Sequence, residues 1–412
     1  MNKRRLGMGL VGPGFIAKHH LDAVRRLGDV DIIGIAGSSS ASAEHKAQEL
    51  SAGRAFRSYE ELVSDPGIDV VHNTTPNYLH FEVTMAAIQA GKHVISDKPL
   101  AITPVQCAQL RDAAESKGIV NAVTFNYRGN PLVQQARVMI ANGELGALVY
   151  IHGQYLQDWM TDDGVYSWRM DPEKGGPSSA LADIGSHLVD LAEYVCGRRI
   201  TYVLADLVTV VTTRYSSGHS AEAFGSRSSG DLTPVRVHGE DLASVLLRFD
   251  DGVRGSFKVG QVLPGHKNDL QLEVNGRSAS LLWKQEQQNE LWIGRHDAAN
   301  SLLCKDPSLM LPPASAYAQL PAGHQESWAD AFRNVIADIY AVIRGNSGHK
   351  PATLCTFADA YRTACVLDAM LESHAQGGVW SPVRDLYPAE RSPAGEVPSV
   401  SAAKTEAGAS PA

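Results

Sequence analysis

The chain carries little that would suit nucleic acid, membranes or metals. Its 37 Lys and Arg stand against 45 Asp and Glu, a formal net charge of −8. That balance lacks the basic footprint a polyphosphate partner requires. No apolar run is long enough to span a bilayer, and the most apolar later stretch, Val203 to Val211, is broken by Asp206. Behind the basic start Met1-Asn2-Lys3-Arg4-Arg5 come Gly7, Gly9, Gly12 and Pro13 instead of the apolar core of an export signal. Cys107, Cys196, Cys304, Cys355 and Cys365 show no Cys-x-x-Cys spacing, and an odd, scattered set fits reduced thiols in a cytoplasm. His-x-x-x-His and His-Glu-x-x-His are both missing, so no metal is expected. These absences predict a cytoplasmic protein with a small-molecule partner, no nucleic acid and no membrane.

What is present is an orderly alternation. With 412 residues, 44% of them hydrophobic, the chain can bury two cores. Strand-like runs at Leu6-Val11, Asp31-Ile35, Val70-Asn73, His93-Ser96 and Ile119-Phe125 alternate with helical patterns, including Ile16-Leu27, Tyr78-Ala90 and Pro104-Lys117. That alternation predicts βαβ units on a parallel sheet. A helix at Leu132-Asn142, a strand at Leu148-Gln154 and a helix from Ile184 to Val195 follow. Strands then dominate: Tyr202-Thr213, Ala243-Phe249, Val253-Val259, Leu270-Val274 and Ala279-Trp283, with an Asp251-Gly252 hairpin turn among them. Two helices, near His324-Arg344 and Thr356-His374, close the pattern. The fold class expected is α/β: an N-terminal doubly wound parallel sheet over 1–125, and a C-terminal α+β domain with a large, mostly antiparallel open sheet over 126–388. The last helices are free to pack back on the first domain. Residues 389–412 are Pro, Ala, Ser, Glu and Lys without periodicity and read as a disordered tail.

The first strand runs into Gly12-Pro13-Gly14-Phe15-Ile16-Ala17, a G-x-G-x-x-G/A pattern placed between strand and helix. Gly12 permits the tight turn, Gly14 lets backbone approach a pyrophosphate, and Ala17 lets the helix pack closely. This predicts a dinucleotide site that includes Phe15 and Ile16. The next strand ends Gly37-Ser38-Ser39-Ser40, without the acid that usually holds a ribose 2′-hydroxyl and without an arginine for a 2′-phosphate. The missing acid favours NADP and the missing arginine favours NAD, so the cofactor is expected to be NAD(P)H with that choice open. Ser38 and Ser39 either meet the ribose or cap the following helix. Thr75, Pro76 and Asn77 sit on the same sheet edge and are expected to line the ribose–nicotinamide channel. His80 either joins them or faces water at the helix start. Asp97, Lys98 and Asn126 complete the candidate cofactor contacts.

Lys98, fixed before Pro99 at the end of another strand, is expected to aim its amine into the crevice of the sheet. Asp183 and His187 lie four apart, which on a helix stacks them on one face; the acid can then orient the ring and hold up its pKa. The alternative is a capping aspartate beside an unrelated histidine. Candidate substrate contacts besides these three are Arg128, Tyr155, Asp158, Trp159, Trp168 and Arg169. Aromatic faces and polar groups together suit a sugar, although the tryptophans also fit a core.

Taken in order, the loop at Gly12, Lys98-Pro99 and Asp183-x-x-x-His187 after Gly175-Gly176 resemble the Gfo/Idh/MocA oxidoreductases, the glucose–fructose oxidoreductase and inositol dehydrogenase type of sugar dehydrogenase. Thr75-Pro76-Asn77 with His80, Asn126-Tyr127-Arg128 with Pro131, and Gly143-Glu144-Leu145-Gly146 support the likeness. It covers about residues 6 to 375. The resemblance implies a Rossmann domain, a second domain whose sheet mediates homo-dimers or homo-tetramers, and Lys98, Asp183 and His187 as the reacting set. It also implies a cis Lys98–Pro99 bond. Two departures stand out: Asp97 replaces the family's usual Glu, and a Ser/Gly-rich segment fills 214–239. The implied chemistry is hydride transfer between nicotinamide and a secondary alcohol or carbonyl of a sugar, sugar derivative or cyclic polyol. His187 takes the proton, Asp183 orients it and Lys98 holds the alkoxide, or Lys98 is the base. A second reading is a cofactor-retaining glycoside-cleaving enzyme that works by transient oxidation and elimination.

Overall fold

The computed structural model describes residues 4–216, 232–345 and 351–387. The tail expected to be disordered, and most of the Ser/Gly-rich segment, lie outside the described residues. The N-terminal part runs β1 (Leu6–Val11), α1 (Ala17–Leu27), β2 (Val30–Ala36), α2 (Ser40–Glu49), β3 (Arg54–Phe56), α3 (Tyr59–Ser64), β4 (Val70–Asn73), α4 (Asn77–Gln89), β5 (His93–Ser96), α5 (Pro104–Lys117) and β6 (Asn121–Val123). The strands form one parallel sheet in the order β3-β2-β1-β4-β5-β6. The order reverses between β1 and β4, which opens a ligand crevice beyond their carboxyl ends.

Local chemistry sets the element ends. In α5 the Thr103 side chain accepts from the Gln106 N–H, and the Gln106 side chain accepts from the Thr103 N–H. Pro104 occupies the first turn, where its missing N–H costs nothing, and Gly118 stops the helix in the left-handed region at φ 62°. The expected and observed ends of this helix therefore coincide.

The rest of the chain supplies α6 (Pro131–Ala141), β7 (Leu148–Leu156), α7 (Pro172–Gly175), a π turn (Leu181–Gly185) that leads straight into α8 (Ser186–Cys196), and β8 (Ile200–Val208). Then come β9 (Thr213–Ser216), β10 (Thr233–Arg236), β11 (Leu242–Phe249), β12 (Arg254–Gly260), β13 (Asp269–Gly276), β14 (Ala279–Lys284), β15 (Glu290–Arg295), β16 (Ser301–Cys304), α9 (Trp328–Ile343), α10 (Phe357–Ala375) and β17 (Ser381–Pro382). Nine strands pair in the order β16-β15-β14-β13-β7-β12-β11-β8-β17, and only the β7–β12 pair is parallel. Alternation fixes the faces: β11 buries Ala243, Val245, Leu247 and Phe249 and turns Ser244 and Leu246 outward. The buried face packs with Leu132 and Val133 of α6, Leu188 and Leu191 of α8, and Val366 and Met370 of α10. Each such side chain removed from water contributes about 1.5–3 kcal/mol.

The two sheets are tied by the closing helices. Phe332, Val335, Ile336 and Ile339 of α9 share a cluster with Leu10 of β1 and with Leu21 and Val24 of α1. Phe357 and Tyr361 of α10 pack with Leu110 and Ala114 of α5. Some expectations need correction. The strand expected over Tyr202-Thr213 ends at Val208, and Thr213 opens a separate ribbon in which β9 pairs with β10. The helix expected from Ile184 begins as the π turn. β3 and β16, with three and four residues, are too short to show a period.

Candidate active site

A cavity of about 730 Å³ lies where the carboxyl edge of the parallel sheet faces the second sheet. One half is walled by the loop after β1. Gly12 adopts φ +88°, and a Cβ there would lie 2.6 Å from the backbone of Thr75. At Gly14 a Cβ would meet nothing within 4 Å, so its backbone faces open space. The first glycine is demanded by the fold; the second leaves room for a ligand to approach the chain. Thr74 fastens this loop by donating its hydroxyl to the Val11 and Gly12 carbonyls at 3.0 and 2.7 Å. Phe15, Ile16, Ser38, Thr75, Pro76, Asn77 and Asp97 line the same half, and Asp97 accepts from the Thr124 hydroxyl at 2.7 Å. Asn126 lies at the inner end with its Nδ2 buried and without a protein partner. An orphaned amide donor, an open glycine backbone and a helix N-terminus beyond it fit a dinucleotide.

Two candidates from this half fall elsewhere. Ser39 is the N-cap of α2 and accepts from the Ser42 N–H at 3.2 Å. His80 neither faces water nor lines the cavity. It is buried, with Nδ1 2.6 Å from the Pro99 carbonyl and Nε2 2.7 Å from the Thr75 carbonyl, and so ties the two loops together.

The centre of the cavity is built around Lys98. Its peptide bond to Pro99 is cis. Its amine donates to Asp183 Oδ1 at 2.7 Å and to the Asp183 carbonyl at 2.6 Å. Arg169 Nε stands 3.6 Å from the same Oδ1, and Gln261 Nε2 donates to Oδ2 at 2.8 Å. Burial alone would raise the Asp183 carboxyl, but Lys98 and Arg169 overcome it and hold the group below the usual carboxylate range. The four-residue spacing does not join Asp183 to His187. Asp183 sits on the π turn, and its carboxylate oxygens are taken by Lys98 and Gln261 instead. Asp183 does act to raise the imidazole as expected, but burial first, then Lys98, outweigh it and push the ring well below its usual value. His187 is boxed by Phe125, Tyr127 and Tyr155, with ring centres 5.5, 5.1 and 6.1 Å away. Its Nδ1 is buried without a protein partner. A neutral imidazole and a lysine amine thus share one cavity, the pairing that proton removal and alkoxide stabilisation need.

The far wall is a chain of polar side chains. Tyr127 and Tyr155 hydroxyls meet at 2.7 Å, and Tyr155 donates to Asn268 Oδ1 at 2.7 Å. Gln157 Nε2 donates to that oxygen at 3.1 Å, and Trp159 Nε1 donates to Gln157 Oε1 at 3.0 Å. Burial raises both tyrosines, so they stay neutral. Trp159, Trp168 and Arg169 line this end, Arg169 lying over the Trp168 ring at 4.6 Å. Two expected substrate contacts are absent from it. Arg128 is buried away from the cavity, gripping both oxygens of Asp190 at 2.9 and 2.5 Å, with Nη1 on the Leu354 carbonyl at 2.9 Å. Asp158 points outward to Lys267 at 2.5 Å. In their place come Tyr127, Gln157 and Asn268, with His19, Trp328 and Phe332 closing the cofactor end. Gln157 had a signal, since it stands two residues from Tyr155 and from Trp159. Trp328 had none: nothing local says that α9 returns to the first sheet. Among the described residues no cluster of His, Cys, Asp and Glu can hold a metal, and no helix is long and apolar enough to cross a membrane.

Comparison with known proteins agrees with this arrangement. Residues 6–125 match the oxidoreductase family with an NAD-binding Rossmann fold, and residues 133–282 match the GFO/IDH/MocA C-terminal domain. A levoglucosan dehydrogenase of Pseudarthrobacter phenanthrenivorans is 31% identical over 90% of this chain and 97% of its own. A 1,5-anhydro-D-fructose reductase of Ensifer adhaerens is 33% identical over 66% of this chain and 74% of its own. The structure of a levoglucosan dehydrogenase in complex with NADH and L-sorbose superposes with a TM-score of 0.82 at 29% identity, over 93% of this chain and 100% of that one.

Proposed function

From the premise that the chain belongs to the Gfo/Idh/MocA oxidoreductases, we propose that it oxidises a secondary hydroxyl of an uncharged sugar, sugar derivative or cyclic polyol with NAD(P), or reduces the matching carbonyl. The observation that carries this reading is the shared cavity: Lys98, Asp183 and His187 stand between the Gly12–Gly14 loop and a wall of tryptophan and amide side chains. The uncharged substrate follows from charge. The lining cations Lys98 and Arg169 both face Asp183, which among the described residues leaves no cation set apart for a phosphate or carboxylate. The glycoside-cleaving alternative is not favoured, because the named relatives are a dehydrogenase and a reductase.

When bound, a nicotinamide supplies the hydride acceptor. The protein does the rest. His187, held neutral by burial, takes the hydroxyl proton at the nitrogen that faces the cavity. Lys98 donates to the developing alkoxide. Asp183 aims the lysine amine, a different role from orienting the histidine ring. Trp159 and Trp168 offer faces to the sugar ring while Gln157 and Asn268 meet its hydroxyls. In the same reading residues 1–125 hold the cofactor and 126–388 hold the substrate. Copies associate through the outer face of the nine-stranded sheet, where Leu246 and Leu302 are exposed. Five unpaired cysteines suit a reducing cytoplasm.

The test is the near-ultraviolet absorbance of NAD(P)H with purified protein, each cofactor in turn, and a panel of neutral pyranoses, anhydrosugars and polyols beside their phosphates. Reduction of one cofactor with neutral substrates is expected. Turnover confined to sugar phosphates would overturn the charge argument, and none with any panel member would overturn the dehydrogenase assignment.

A further inference from the structure

The largest fully buried side chain among the described residues belongs to Arg214, an arginine on the short β9 ribbon. A buried guanidinium is costly to desolvate, and this one uses both terminal nitrogens, while its buried Nε has no partner among the described residues. Nη1 donates to the carbonyls of Asp162 and Val165 at 3.0 and 3.2 Å. Nη2 donates to the Met160 carbonyl at 2.8 Å and to Asp241 Oδ1 at 3.3 Å. All three carbonyls belong to the loop after β7, between Trp159 and Trp168, the two tryptophans of the cavity wall.

The loop also makes turn bonds within itself: the Thr161 and Val165 N–H groups donate to the Asp158 and Asp162 carbonyls at 3.0 and 3.1 Å, and the Gly164 N–H donates to Asp162 Oδ1 at 2.7 Å. Its apolar support is a satellite cluster of four buried residues, Met160, Val165, Met170 and Val237, apart from the main cores. A segment with so few apolar contacts opens at low cost unless polar contacts fix it. Among the described residues, two backbone bonds reach the loop from outside it beside the arginine. The Tyr215 N–H donates to the Asp163 carbonyl at 2.8 Å, and the Met160 N–H donates to the Gln261 carbonyl at 3.1 Å. The second joins the clamp to the reacting centre. The Gln261 N–H donates to the Asp241 carbonyl at 3.1 Å, while the Gln261 side chain holds Asp183.

We propose that Arg214 is a specificity-determining positioning residue: by clamping the 160–165 loop onto Asp241 it fixes Trp159 and the tryptophan end of the cavity against the substrate. It touches neither cofactor nor substrate, and none of its contacts reaches the glycine loop. The inference rests on the proposed sugar dehydrogenase reading for its effect on kinetics, but not for the clamp itself.

Two full-length variants, Arg214→Met and Arg214→Lys, test it. Hydrogen exchange of amides 159–167 is expected to quicken at least tenfold in Arg214→Met and less in Arg214→Lys, with α1 unchanged. NAD(P)H affinity is expected to stay within twofold, while KM for the preferred sugar rises about tenfold or more and kcat falls less. Discrimination between two epimeric sugars should shrink, and Arg214→Lys should restore part of it. Should Arg214→Met fail to fold, Arg214→Lys carries the same readouts at reduced size. Unchanged exchange in the loop overturns the clamp. Faster exchange with equal losses in cofactor affinity and KM overturns the positioning role in favour of a general structural one. Wild-type protein that turns over no sugar sinks the dehydrogenase reading instead, and the exchange experiment still decides whether the clamp exists.

Discussion

The two halves of the cavity are made in different ways. The cofactor half is backbone: strand ends in a parallel sheet, a glycine loop forced by its own φ, and a helix N-terminus. The substrate half is side chains drawn from separate segments, at Lys98, Tyr127, Tyr155 to Arg169, Asp183 to His187, and Gln261 to Asn268, joined by hydrogen bonds. Backbone geometry is specified locally and tolerates change outside its glycines. A side-chain network depends on every member, because a buried polar group that loses its partner is penalised in full. The same size of substitution should therefore act on turnover in one half and on binding or folding in the other.

The sharpest test is at the centre. Lys98→Met and His187→Ala should each lower kcat by about 10²–10⁴-fold, the usual worth of a positioned proton-transfer or charge-stabilising group. NAD(P)H affinity, read by fluorescence titration, should move only a few-fold. Comparable losses in both quantities would erase the contrast between the halves. In the cofactor half the two glycines should separate. Gly12→Ala forces a side chain into the left-handed region and against Thr75, so it should cost on the order of 1–3 kcal/mol of stability in a denaturant titration. Gly14→Ala meets no protein atom, so stability should hold while NAD(P)H affinity drops about tenfold, since a methyl then stands where backbone meets the ligand. A loss of stability at Gly14 would mean that the fold, and not a ligand, demands that glycine.

The same division explains what can be read in advance. Five of the six parallel strands, the glycine loop and Lys98 are legible, because each rests on periodicity or on the φ and packing needs of neighbouring residues. The substrate half is legible only as a set of suitable residue types. Asp183 and His187 stand out in the sequence, but their partners do not. A π turn has no sequence period to announce it, so the spacing pairs Asp183 with the histidine when it belongs to the lysine. Arg128 and Asp158 have the right chemistry for a sugar and are committed elsewhere, to Asp190 and Lys267, at sequence separations no local pattern reports. Gln261 and Asn268 lie on loops of the second sheet, where only the three-dimensional register brings them under the cavity.

The smallest effect tests whether the backbone-built half also hides a dependence on side chains. His20 of α1 and His72 of β4 are fully buried with their Nδ1 atoms 2.9 Å apart, and His72 Nε2 lies 3.0 Å from the Tyr340 hydroxyl of α9. The two facing nitrogens can share only one proton, and burial lowers both histidines to about 3. In the unfolded chain they titrate near 6.5. Below that value the unfolded state binds more protons than the native one, so this contribution to stability is whole above about pH 6.5 and is lost as pH falls towards 3. The slope should approach about 1 kcal/mol per pH unit for each histidine. Urea midpoints at pH 7, 6 and 5 should therefore fall in the native chain, and His72→Phe should flatten the decline whatever its stability at pH 7. An unchanged slope would place the acid sensitivity at other buried histidines, His80 and His187 foremost. Acid would then be felt first at the Thr75–Pro99 tie and at the reacting centre, while the pair beneath the cofactor loop would stay silent.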